Sequence, residues 1–269
     1  MTRTLVRHWN SALSRGVGYE RTPPGSHVDP SGVSGYYLDF AAKTTSPSAA
    51  DPSRLLPAGL AQLALGWWER GLAGERGANN RFREVCDTLV SSAEDDDDAL
   101  VWLYRVEDRK YHVPPPTISS LAQAQAASVL VRRHLLDGDP RHAELALRAA
   151  RPLLQDAAPS VVARLVTGPA LEESPSIPPS LILNGWIYAL WGLRDVAVGL
   201  DDAGASAMLE ESTACLVAML PRYDVGWWSR YSLYPHHLPD LAKLFYHRLH
   251  VDQLDVMYRL TGQEIFREF

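Results

Sequence analysis

Cysteine is scarce in this 269-residue chain, which holds only Cys86 and Cys215. Each falls within a helical pattern, Phe82-Arg83-Glu84-Val85-Cys86 and Thr213-Ala214-Cys215-Leu216-Val217. A single pair builds no disulfide framework and its spacing suits no zinc motif, so both read as buried free thiols in a reducing cytoplasm. Long apolar runs are missing as well. Hydrophobic residues make up 46% of the chain, yet no uninterrupted stretch approaches the roughly 18 residues of a membrane span. Met1 to Tyr19 contains no apolar segment of the kind a secretory signal needs. A cationic surplus is also absent: 26 Lys and Arg against 32 Asp and Glu leave a net charge of −6. The molecule as a whole therefore repels nucleic acid and sulfated polysaccharide, and an acidic substrate requires a local basic patch. The acidic run Glu94-Asp95-Asp96-Asp97-Asp98 lacks the Gly and terminal Glu spacing of a calcium loop and reads as a solvated loop.

What the chain does have is a repeat. Modules about 60 residues apart begin Pro57-Ala58-Gly59-Leu60-Ala61-Gln62, Ile118-Ser119-Ser120-Leu121-Ala122-Gln123 and Pro178-Pro179-Ser180-Leu181-Ile182-Leu183, with Leu60, Leu121 and Leu181 in register. Each opens an Ala- and Gly-rich helix, turns on Gly or Asp and returns as a second helix, as in a stack of hairpins sharing one core. The first hairpin is expected from Leu55 to Leu72 and Asn79 to Ser92. The second begins near Thr117 to Ser120 and turns at Asp137-Gly138-Asp139-Pro140, and the third runs from Ser180 to Val198 and back to Leu220. An unequal fourth pair is expected over Pro239–Leu249 and Val251–Arg259. Residues 1 to 54, rich in Gly, Pro, Ser and Thr, offer only Tyr36-Tyr37-Leu38-Asp39-Phe40 as a packing segment.

Opening helices such as Ser120 to Val131 are apolar on more than one face and belong inside, while return helices such as Pro140 to Leu154 carry Arg and Glu on one side and belong outside. The expected fold is all-α: an α/α-toroid, an incomplete α/α-barrel of about three and a half hairpins, over residues 36–269, preceded by an irregular extension over residues 1–35. Each connector, Asp95–Pro116, Asp156–Pro179 and that following Tyr223, precedes an inner helix. The connectors thus gather at one end of the ring, where loops on a rigid scaffold form a cleft.

Two stretches stand out, Ser119-Ser120-Leu121-Ala122-Gln123-Ala124-Gln125-Ala126 and Pro179-Ser180-Leu181-Ile182-Leu183-Asn184-Gly185-Trp186-Ile187-Tyr188-Ala189-Leu190-Trp191-Gly192-Leu193. They resemble the C-terminal helical domain of D-glucuronyl C5-epimerases, which make iduronate in heparan-type chains. In the same order come Leu60-Ala61-Gln62, Met219-Leu220-Pro221-Arg222-Tyr223-Asp224, and Tyr246-His247 followed by His250 and Asp252-Gln253-Leu254. The resemblance covers roughly Tyr36 to Phe269. It implies removal of a proton from C5 of a uronate and its return to the other face, with no cofactor and no metal. That chemistry needs two acid/base groups on opposite sides of one carbon and groups that hold the enolate-like carboxylate.

Carried over by position, the resemblance implies Glu173 and Tyr246 as the proton-transfer pair and Tyr231 as a supporting donor. Gln123, Asn184, Arg230, His247, His250, Tyr111 and Trp227 are the residues expected to bind substrate. Plainer roles stand beside these. Either Tyr serves equally as an amphipathic packing residue, Glu172-Glu173 as a solvated loop pair, and Asn184 as a helix–helix hydrogen-bonding group. His236-His237 and the His247/His250 pair lack a third ligand for zinc. The chain departs from the family where Ser174 replaces a Tyr after the acidic residue and where Leu63 replaces a Tyr after Ala-Gln, while Trp227 and Trp228 replace small residues. Residues 222–269 hold six Arg and Lys against six Asp and Glu, so no cationic stripe awaits a polyuronate. Two further functions follow from these departures: an acid/base isomerase or cyclase acting on a small, more apolar molecule, and a non-catalytic binding module. The expected partners are a small-molecule or saccharide substrate, with no nucleic acid and no membrane, and a homodimer is left open.

Overall fold

The structure, a computed structural model, describes residues 56–72 and 74–269. The extension expected over residues 1–35, its boundary at residue 36, the segment Tyr36–Phe40 and the helix start at Leu55 lie outside the described residues.

Local signals set the helix limits. α1 (Pro57–Leu72) opens on a proline, whose missing N–H is not needed there. α2 (Ala78–Ser91) follows Gly77, which has a φ of 84°. α3 (Ser120–Asp137) ends at left-handed Gly138, whose N–H returns to the His134 carbonyl at 2.7 Å. Asp139 then caps α4 (Pro140–Leu154) by accepting from the Arg141 N–H at 2.9 Å. α5 (Leu183–Leu200) leads to α6 (Ala203–Met219), which Asp202 caps through the Ala205 N–H at 2.7 Å. α7 (Leu244–Thr261) and the one-turn α8 (Ile265–Glu268) complete the helices.

α1, α3, α5 and α7 pack side by side in that order, and α2, α4 and α6 back the first three, giving the expected α/α-toroid of about three and a half hairpins. The inner helices approach closely. A Cβ on Gly192 of α5 would stand 2.6 Å from the carbonyl carbon and the Cβ of Ala124 on α3. The same pair of helices is bolted by a buried ion pair, Arg132 to Asp195 at 2.6 Å. Cys86 and Cys215 are both buried free thiols, as their helical surroundings predict.

Four expectations need correction. Within the connectors β1 (Glu94–Asp96) pairs with β2 (Ala99–Val101) and β3 (Val162–Leu165) with β4 (Gly168–Leu171), each antiparallel. The acidic run is thus an exposed strand and turn, with Asp95 bonded to Arg148 and Asp98 to Arg151 on α4, rather than a free loop. α7 runs unbroken through His250 instead of splitting into two helices, because His250 and Gln253 turn into the core and Gln253 donates to the Asn184 carbonyl at 3.0 Å. Its start moves from Pro239 to Leu244, since Leu241 is still extended and bridged to Arg230. Finally, Leu181 lies two residues before α5, at a φ of 49°, whereas Leu60 and Leu121 lie within the first turn of their helices.

Candidate functional site

The second and third connectors are tied back to the start of the preceding inner helix through main-chain bonds, and the first through a side chain, the Ala58 N–H donating to the Tyr104 hydroxyl at 3.3 Å. The Ser120 N–H donates to the Glu172 carbonyl at 3.0 Å, and the Leu183 N–H to the Tyr231 carbonyl at 3.0 Å. These ties bring Glu173 and Tyr231 to the same end of the ring. Left-handed Leu181, a costly conformation for a branched side chain, is over-determined. The Glu172 carboxylate accepts from the N–H and hydroxyl of Ser180 at 2.6 and 2.8 Å and from the Leu181 N–H at 2.8 Å, while the Tyr223 hydroxyl donates to the Leu181 carbonyl at 2.7 Å. Glu172 is therefore a structural clamp. Burial raises its pKa to about 7 against the pull of those three bonds.

Glu173, its neighbour, is half-buried against the first turn of α5. Asn184 Nδ2 donates to Glu173 Oε2 at 3.4 Å, and only a glycine at 185 leaves room for the carboxylate. Burial, followed by the charges of Asp108 and Glu172, raises its pKa to about 8, and Lys110 pulls weakly the other way. Glu173 also lines a cavity of about 290 Å³, with Tyr104, Val106 and Ile118 on the apolar side and Asp108 and Ser174 on the polar side. Ser174 donates to Asp108 at 2.6 Å.

Tyr231 and Tyr246 face one another edge to face at 4.7 Å between ring centroids, and Tyr231 donates a hydrogen bond to Tyr246. Burial raises the pKa of both, and the Glu173 charge raises each further, which marks the three groups as electrostatic neighbours. Lys110 completes the group: its ammonium lies 4.4 Å over the Tyr231 ring and 5.2 Å over that of Tyr111. Asp240 holds it, accepting from Lys110 at 2.7 Å, from Ser232 at 2.6 Å and from the Tyr111 hydroxyl at 3.3 Å. Burial, the largest cause, pushes the Tyr111 phenol upward as well.

Of the residues expected from sequence, the structure gathers Glu173, Tyr231, Tyr246, Asn184 and Tyr111. It does not gather the rest. Gln123 is a packing clamp, its amide nitrogen donating to the Leu100 and Ala149 carbonyls and its oxygen accepting from the Trp102 N–H at 2.9 Å. His247 stacks on Trp228 at 3.9 Å between centroids, His250 is buried behind it, and Trp227, 72% exposed, neighbours Trp228. The Arg230 N–H donates to the Tyr223 carbonyl, and its side-chain Nε is buried without a partner among the described residues. Lys110, Asp240, Asp108 and Gly185 were not foreseen. Only Lys110, the cation directly before Tyr111, carried a usable signal.

Among the described residues, no three His, Cys, Asp or Glu side chains are grouped to hold a metal ion, and no helix is long and apolar enough to cross a membrane. A sequence profile of the D-glucuronyl C5-epimerase C-terminus matches residues 96–269, more than half of the chain. The chain is 29% identical over 204 residues to the D-glucuronyl C5-epimerase of Caenorhabditis elegans, a match covering 70% of this chain and 33% of that protein. It thus spans about a third of that relative's length. An uncharacterized protein of Methanocaldococcus jannaschii is 24% identical over 98% of this chain and 80% of its own. Among solved structures, cellobiose 2-epimerase from Spirochaeta thermophila superposes with a TM-score of 0.53 at 13% identity, over 78% of this chain and 55% of that one. That likeness is one of fold.

Proposed function

Because the chain belongs to the D-glucuronyl C5-epimerase family, we propose that it is a cofactor-independent carbohydrate epimerase. It takes a proton from a carbon beside a carboxylate, C5 of a uronate in the family, and returns one to the opposite face. The observation that carries this reading is the electrostatic coupling of Glu173 to Tyr246 and Tyr231. With both phenols held neutral by burial, the base is Glu173, and a carboxylate whose pKa is raised to about 8 is a far stronger base than an exposed one. When Glu173 takes the substrate proton its charge disappears. The repulsion it imposed on the Tyr246 phenolate disappears with it, so Tyr246 becomes a better acid at the moment it must donate. The Tyr231 hydrogen bond, which lowers the Tyr246 pKa, supports the nascent phenolate. Lys110 is the cation suited to hold the substrate carboxylate, with Asn184 orienting Glu173.

The test is solvent deuterium incorporation at C5 of a glucuronate-terminated oligosaccharide, followed by NMR. Exchange is expected, and Glu173→Gln and Tyr246→Phe should each slow it about 10²–10⁴-fold. Absence of exchange with an intact fold overturns the uronate reading. A second reading rests on the cavity beside Glu173. There Tyr104, Val106 and Ile118 supply apolar surface among Glu107, Asp108 and Arg109, which supports Glu173 acting as the base of an isomerase or cyclase on a smaller, more apolar molecule than a polyuronate.

A further inference from the structure

A second cavity, of about 260 Å³, lies between α7 and α8 and shares no lining residue with the one beside Glu173. Leu254, Tyr258 and Phe266 give it an apolar, largely aromatic wall, Ser229, His247 and His250 form a polar end, and Asp255 and Arg267 also line it. The hydrogen bonds at that end assign the protons. The Ser229 backbone N–H donates to His247 Nδ1 at 3.3 Å, so that nitrogen carries a lone pair. The Ser229 hydroxyl, 2.9 Å from the same nitrogen, must then be a donor to it. Its one proton is thereby used. The 2.8 Å contact between Ser229 Oγ and His250 Nδ1 consequently requires the proton to sit on His250 Nδ1. Burial, and the neighbouring His247, hold the His250 pKa down to about 3, so the ring is neutral and its other nitrogen is an acceptor. That acceptor, His250 Nε2, is buried and has no partner among the described residues. A buried lone pair is costly until a donor reaches it.

We infer that this cavity binds a small aromatic alcohol, a phenol-sized molecule whose hydroxyl donates to His250 Nε2 while its ring lies against Tyr258 and Phe266. The volume admits one six-membered ring with a short substituent. At His250 Nε2 a carboxylate or phosphate is the wrong chemistry, because it brings acceptors to a point where an acceptor already stands, and Arg267, which also lines the cavity, is placed over the Tyr258 ring at 5.5 Å. A uronate therefore belongs to the Glu173 cluster and not here, and this site does not depend on the activity proposed above.

The experiment compares phenol with toluene, its near-isostere without the hydroxyl, titrated into the full chain by calorimetry and by ¹⁵N NMR of the histidine side chains. Phenol should bind saturably and about tenfold more tightly than toluene, the worth of one hydrogen bond. The His250 Nε2 resonance should start as an unprotonated nitrogen and move on phenol binding. His250→Phe should erase the preference for phenol. Should that variant fail to fold, Val251→Trp offers a second route. Val251 is 58% exposed on the cavity wall, so filling the space from there spares the core and should abolish binding of both probes. Equal affinity for the two probes, no saturable binding of either, a protonated Nε2, a phenol preference that survives His250→Phe, or binding that survives Val251→Trp would each overturn the inference.

Discussion

Gly185→Ala isolates the placement of Glu173. Gly185 is the third residue of α5, and a Cβ there would stand 2.5 Å from the Glu173 Cβ and 2.8 Å from its Cδ, with Oε2 closer still. Relaxed carbon contacts need about 3.5–4.0 Å, so Glu173 must retreat by roughly 1 Å. Overpacking of this kind costs about 1–3 kcal/mol, and alanine returns up to about 1 kcal/mol of helix propensity. The net loss of stability should be about 2 kcal/mol or less, a fall in Tm of roughly 4–8 °C. Catalysis is more sensitive to position: a 1 Å misplacement costs about 10²-fold, so deuterium exchange should drop about a hundredfold in a protein that remains folded. In a Glu173→Gly background the three nearest obstructing atoms are gone, and the same substitution should be neutral or stabilising by up to about 1 kcal/mol. Urea unfolding of the four proteins gives the coupling. An unchanged exchange rate in Gly185→Ala, or an equal stability change in the two backgrounds, refutes the reasoning.

Exchange should rise with pH and level off above about 8, as Glu173 ionises, with the inflection absent from any residual rate of Glu173→Gln. Lys110→Met removes a charge that lowers the Glu173 pKa, so the inflection should move to higher pH and KM should rise about tenfold, read from pH-dependent kinetics. His250 has a depressed folded pKa, so its contribution is present above about 6.5 and lost as pH falls towards 3. In urea unfolding, the loss of stability between pH 7 and pH 4 should be about 3 kcal/mol larger in the wild type than in His250→Phe. Arg132→Met removes the guanidinium facing buried Asp195 and should cost about 3–5 kcal/mol in the same assay.

The toroid was legible because its signal is repetitive. Three openings in register, Gly138 and the caps Asp139 and Asp202 each mark an element through local chemistry, which a linear reading captures. The single helix through His250 was not, because what sustains it is tertiary: Gln253 reaching the Asn184 carbonyl, 69 positions away in sequence. The site divides in the same way. Glu173, Tyr231 and Tyr246 were found through their motifs and their connectors. Lys110 and Asp240 escaped notice because their pairing spans 130 positions and belongs to no motif. The resemblance implies His247 and His250 as substrate-binding groups along with Tyr246, but on a helix neighbouring positions point in different directions, and both turn towards Ser229.

The bonds that tie the second and third connectors to the preceding inner helix run from Ser120 to Glu172 and from Leu183 to Tyr231 through main-chain atoms. Those two bonds do not depend on the side chains at positions 172 and 231, whereas the clamp from the Glu172 carboxylate to Ser180 and Leu181 does. The main-chain tie at residue 172 is thus separate from the chemistry of the side chains that follow it, Glu173 and Ser174. The limit on what those positions can carry is set where a rim side chain meets a helix, as Glu173 meets Gly185.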